Sequence, residues 1–210
     1  MSSRLLLDGA PQVAPDPASQ LSAARRALRG RRADAVVLSI GGNDIGFGGI
    51  VTTCATSTSC QDALAPTLDT QLTTLDAALT PLGKAMTALA PPRRVLLVPY
   101  PDIVSGPRGG ECAAVDLGIE PGEAVWAASA IGALNATLRG AAVRHGWRFV
   151  ERAAGALAGR GVCAGDTARV ISLSDSVVRQ GTETGTLHPD AAGQRAIANA
   201  LRGPLARAVR

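Results

Sequence analysis

The chain has two histidines, at 145 and 188, and histidine is the side chain whose charge changes nearest neutral pH. His145 stands just before Gly146, at the end of a helical pattern, where a capping or solvated ring is the ordinary reading. His188 lies in Gly185-Thr186-Leu187-His188-Pro189-Asp190-Ala191-Ala192-Gly193-Gln194, a loop feeding the last helix. Pro189 fixes the start of that helix, so the imidazole is held in one direction, as a general base requires. The second chemical stretch is Gly41-Gly42-Asn43-Asp44. It sets an amide beside a carboxylate, although for Gly, Asn and Asp alone a tight turn is the stronger reading.

These residues need elements to position them. Val36-Val37-Leu38-Ser39-Ile40 is a continuous apolar, β-branched run, the pattern of a strand buried on both faces. It empties into Gly41-Gly42-Asn43-Asp44 at its carboxyl end, where open α/β sheets place their ligands. A second such run, Arg94-Val95-Leu96-Leu97-Val98-Pro99, ends in Tyr100-Pro101-Asp102. Helical periodicity covers Ala18 to Arg29, Leu64 to Leu89 with an interruption expected at Pro81, Glu120 to His145, and Pro189 to Leu201. Short strands are expected at Arg4 to Leu7 and Trp147 to Val150, with an extended piece over 170–173. Residues 48–66 read as a long loop with one helical turn near Ile50, and 151–169 as irregular. Strands alternating with helices predict a parallel sheet covered on both faces.

A hydrophobic fraction of 46% in 210 residues is globular rather than disordered. The net charge is +4, and Arg25, Arg26, Arg29, Arg31 and Arg32 cluster before the first apolar run. With aromatics at only 2%, a base-stacking surface is hard to build. The cluster reads as a solvated helix end and no nucleic-acid partner is expected. No apolar run reaches transmembrane length, and the first residues lack the core of a secretory signal. Cysteines at 54, 60, 112 and 163 do not have zinc spacing, and no metal is expected. Three disulfide pairings are open to them, as are four buried thiols. Cys54 with Cys60 would staple a short loop and leave Cys112 with Cys163, and two such bridges imply an oxidising compartment.

Read together, the strand ending in Gly-Gly-Asn-Asp, the cysteine pair after it, Tyr100-Pro101-Asp102, Cys112, Cys163 and the late His188-Pro189 resemble the SGNH (GDSL-type) hydrolase superfamily. Within it they are most similar to the secreted actinobacterial esterase and lipase branch. The motif order spans roughly residues 6–201. The resemblance implies a three-layer α/β/α fold with a parallel, flavodoxin-like sheet in one domain. It implies hydrolysis of carboxylic esters without cofactor or metal, acting on a small-molecule or lipid ester as a monomer. Asn43 would donate to the oxyanion hole and His188 would activate the nucleophile. Gly9, in Asp8-Gly9-Ala10, would add a backbone donor. Gly41, Gly42 and Asp44 would shape the site, and the Cys54–Cys60 and Cys112–Cys163 bridges would form. Many members carry an Asp three residues before the His. Gly185 stands there instead, so its backbone carbonyl is the expected orienting group, with Glu183 a distant second.

The family's Gly-Asp-Ser nucleophile segment, which precedes the Gly9 block, has no match. Ser2 and Ser3 lack the motif, and Ser39 reads as structural. Leu173-Ser174-Asp175-Ser176 imitates the motif, but sits in a variable loop shortly before His188, which makes Ser176 a weak candidate. The chain therefore reads as N-terminally incomplete, its sheet missing a first strand. A full-length parent would be secreted, while these residues alone would be weak or inactive. The competing readings are a non-catalytic binding remnant of the same fold and, last, a flavodoxin-like nucleotide or signalling domain, which lacks a phosphate loop.

Overall fold

A computed structural model describes residues 20–57, 59–107 and 117–210. The expectations at Arg4 to Leu7, for Gly9 and for Cys112 lie outside the described residues. Chain order runs α1 (Gln20–Leu28), β1 (Val36–Leu38), α2 (Phe47–Thr56), α3 (Cys60–Thr87), β2 (Val95–Leu97), α4 (Pro121–His145), β3 (Arg148–Phe149), α5 (Glu151–Ala154), α6 (Leu173–Gln180) and α7 (Ala191–Ala208). The Arg cluster lies in the last turn of α1 and the residues just after it.

The sheet has the order β1-β2-β3, and both pairs are parallel. Val36, Val37 and Leu38 register with Val95, Leu96 and Leu97. Helices cover both faces. On one, Leu38 and Ile40 pack with Leu75, Leu79 and Leu82 of α3 and Leu134 and Leu138 of α4. On the other, Leu96 and Val98 meet Val150, Ala153 of α5, and Ile197, Ala200, Leu201 and Ala208 of α7. The result is the three-layer α/β/α arrangement that the alternating pattern implied. Only β2 is buried at every residue. β1 was expected to be buried on both faces, but Val37 is 48% exposed and Ser39 is also exposed. The α5–α7 layer reaches Ala35 but not Val37 among the described residues.

Two further expectations give way to packing. Residues 48–66 are not mainly loop. Gly48, Gly49 and five β-branched residues have poor helix propensity, yet α2 forms. Ile50 and Cys54, one turn apart, are buried, and the Cys54–Cys60 disulfide joins its last turn to the first residue of α3. Likewise, α3 runs through Pro66 and Pro81 without a break. Each proline removes one backbone donor, but Leu79, Leu82 and Met86 are buried on either side of Pro81 and hold the helix against α4. Ser59 caps α3 by accepting from Asp62 N–H. In α7 the capping residue is Asp190, whose Oδ1 accepts from Gly193 N–H at 2.7 Å, so Pro189 stands one residue before the cap rather than in the first turn.

Candidate active site

Sheet geometry brings the ends of β1 and β2 side by side. Beyond β1, the chain coils back on itself. Gly41, Gly42 and Asn43 carbonyls accept from Ile45, Phe47 and Gly46 N–H at 3.0–3.1 Å. Gly41 has φ +110°, and a Cβ there would lie 2.9 Å from Leu134 Cδ1. Gly42 is required for a different reason. A Cβ would lie 2.9 Å from the Oη of Tyr100, and the Gly42 N–H donates to that same oxygen at 2.9 Å. Burial pushes the Tyr100 phenol above its ordinary value, opposed by hydrogen bonds from Gly42 and Ser39 and assisted by the Asp44 carboxylate. Tyr100 is itself fixed by Asn135 of α4, whose amide accepts from its N–H and donates to its carbonyl, both at 2.8 Å. Asp102, of the same Tyr-Pro-Asp run, only makes a turn, accepting from Val104 and Ser105 N–H at 2.9 and 3.0 Å.

His188 is held from several sides. Val170 bridges Pro189 in antiparallel fashion, and Ile171 N–H donates to the His188 carbonyl at 2.9 Å. The extended piece expected at 170–173 is thus present at Val170 and Ile171, while Leu173 already begins α6. Leu187 takes φ +61° with its side chain buried, a costly conformation for a branched residue that turns the chain directly before His188.

The carbonyl that faces the His188 ring is that of Thr186, while the Gly185 carbonyl meets the backbone of His188. Thr186 O lies 3.2 Å from His188 Nδ1, whereas Gly185 O accepts the His188 backbone N–H at 3.1 Å. The tight turn points successive carbonyls apart, so only one faces the ring. With a proton on Nδ1 directed to Thr186 O, Nε2 is left as the acceptor, the form a general base needs. Glu183 is exposed on the cavity wall and makes no hydrogen bond to the ring.

Ser176 is not placed as a nucleophile. It is fully buried, its hydroxyl donates to Thr182 O at 2.7 Å and accepts from Gly185 N–H at 2.9 Å. The apparent nucleophile motif is the first turn of α6, capped by Ser172. His145 is neither solvated nor merely a cap. Its ring is half-buried, packs over Gly83 of α3 and lies 4.8 Å from the Trp147 ring. Cys163 is disulfide-bonded; its expected pairing with Cys112 falls outside the described residues.

Asn43 and His188, from opposite ends of the chain, line one cavity of about 500 Å³. Gly42, Tyr100 and Thr186 share it. Its apolar wall is Phe47, Val51 and Ala55 of α2, with Leu117, Leu173 and Leu187. The sequence hides this wall because the glycines and β-branched residues of α2 predict a loop there. The hint available was the i, i+4 spacing of Phe47, Val51 and Ala55. Among the described residues, no Ser, Thr or Cys side chain is hydrogen-bonded to His188, and no helix is long and apolar enough to cross a membrane.

The three-layer parallel α/β fold thus brings an amide and a histidine from opposite ends of the chain into one apolar cavity. The GDSL-like lipase/acylhydrolase family model matches residues 7–196, and the chain belongs to that family. Among solved structures it is similar to phospholipase A1 from Streptomyces albidoflavus NA297, at 26% identity and a TM-score of 0.65, covering 88% of this chain and 75% of that one. It is also similar to an extracellular lipase from Streptomyces rimosus, at 26% identity and a TM-score of 0.63, covering 87% and 75%. Comparison with curated protein sequences gives no match.

Proposed function

We propose that this chain supplies the base and oxyanion side of an esterase or lipase that cleaves carboxylic esters through a serine-type acyl-enzyme. The observation that carries this reading is the meeting of Asn43 and His188 on one apolar cavity. A hydroxyl from outside the described residues attacks the ester carbonyl, and His188 Nε2 takes its proton. Asn43 Nδ2, with the Gly9 N–H, donates to the tetrahedral oxyanion. His188 then returns the proton to the leaving alcohol, and water repeats the cycle to release the acid. Thr186 O holds the ring throughout. The acyl chain lies along Phe47, Val51 and Ala55. The reaction uses no metal or cofactor, and the disulfides and the extracellular relative favour secretion.

His188→Ala tests this in the natural gene product carrying residues 1–210. Hydrolysis of p-nitrophenyl butyrate is expected to fall on the order of 10³-fold or more, and retained turnover would sink the assignment. One observation favours a second reading, a non-catalytic binding remnant. Asn43 and His188 are both exposed, with no hydroxyl bonded to the ring among the described residues. Reading the gene upstream of Met1 separates the two: an in-frame Gly-Asp-Ser supports the enzyme, a stop codon there the remnant.

A further inference from the structure

We propose that Tyr100 is a positioning residue for Asn43, so that the chain's only tyrosine sets the oxyanion side of the cavity. The proposal rests on the esterase reading above. Asn43 sits on an exposed turn and follows two glycines, the residues with the widest backbone freedom. Nothing in the turn's internal hydrogen bonds holds the Gly42 N–H, since those bonds use the carbonyls of 41, 42 and 43. That N–H is held by Tyr100 Oη at 2.9 Å. The ring lies so close that any side chain at 42 would strike it.

Tyr100 can serve as a fixed post because its own backbone is clasped. Asn135 satisfies both its N–H and its carbonyl at 2.8 Å, as a neighbouring strand would. Asn135 is one residue from Leu134, whose methyl packs against Gly41. Helix α4 therefore grips the turn twice, directly under Gly41 and through Tyr100 at Gly42. The Ser39 side chain and the Asp44 carboxylate are the other groups acting on the phenol. A donor that must meet a charge formed only in the transition state loses effect when it wanders. Removing the phenol oxygen should therefore cost turnover more than substrate affinity.

Tyr100→Phe keeps the ring and removes the acceptor. In the natural gene product, kcat for p-nitrophenyl butyrate should fall about 10- to 100-fold with KM within about two-fold. In an Asn43→Ala background the same change should cost nothing further, because the positioned group is gone. Independently of turnover, hydrogen exchange at the Gly42 amide should rise about ten-fold. Wild-type kcat with unchanged Gly42 exchange would overturn the proposal, as would an equal loss in the Asn43→Ala background. His188→Ala keeps the two readings apart. If that variant retains hydrolysis the esterase reading fails, and Gly42 exchange alone decides the role of Tyr100. Should Tyr100→Phe fail to fold, Asn135→Asp, which removes the donor to the Tyr100 carbonyl, should show the same pattern more weakly; unchanged kcat and Gly42 exchange there would count against it.

Discussion

Replacing Ser176 by Ala separates the structural role of this serine from the catalytic role that its neighbourhood, Ser174-Asp175-Ser176, imitates. The hydroxyl is fully buried and both its capacities are used, by Thr182 O and by Gly185 N–H. Thr182 is exposed and Gly185 is buried, so water can replace the lost donor at Thr182 but not the lost acceptor at Gly185. An unsatisfied buried donor costs about 1–3 kcal/mol, and a value near 2 kcal/mol is expected. For a domain of this size that lowers Tm by about 4–8 °C. Because Gly185 O in turn receives the His188 N–H, amide exchange at 185 and 188 should quicken together. Thermal melting with exchange measurement is the assay, alongside labelling by a fluorophosphonate. A Tm within about 1 °C of wild type, or label found on Ser176, would refute the reasoning.

Three further outcomes are expected. Replacing Cys54 and Cys60 both by Ala removes a cross-link over a six-residue separation and should cost about 2 kcal/mol by chain entropy; calorimetry of the variant against wild type under non-reducing conditions measures it. Val51→Trp fills the apolar wall and should lower kcat/KM for p-nitrophenyl decanoate about ten-fold more than for the acetate; equal losses would argue against an acyl chain along α2. The single tyrosine allows a clean ultraviolet titration. Burial raises the Tyr100 pKa above its ordinary value of 10.0, so its contribution to stability is complete below that pH and is lost as pH rises through the folded value. Tyr100→Phe should flatten that alkaline decline, and an ordinary midpoint in the folded protein would contradict the burial.

What the sequence shows and hides follows from which forces leave a local trace. Continuous apolar runs made β1 and β2 legible, and the Leu spacing made α3 legible. A break at Pro81 was expected from local propensity, but burial of the flanking leucines outweighs one missing hydrogen bond. Helix α2 was hidden for the same reason: its glycines and β-branched residues argue locally for a loop, while a disulfide and two buried side chains decide otherwise. In the site, Asn43 and His188 could be named because the order of their motifs along the chain resembles that of a known hydrolase family, which neither motif shows alone. The carbonyl facing His188 could not. Choosing Thr186 over Gly185 depends on the positive φ of Leu187, and a leucine gives no sign of adopting it. Tyr100 was visible as part of Tyr-Pro-Asp, but its bond to Gly42 depends on the register of β1 with β2.

The central claim is that Asn43 and His188 serve one acyl-transfer site. A kcat cycle on p-nitrophenyl butyrate with Asn43→Ala, His188→Ala and the double variant tests it most directly. Each single change should cost on the order of 10²-fold or more, with the double variant losing less than the product of the two. Hydrolysis retained in either single variant, or losses that simply multiply, would contradict it.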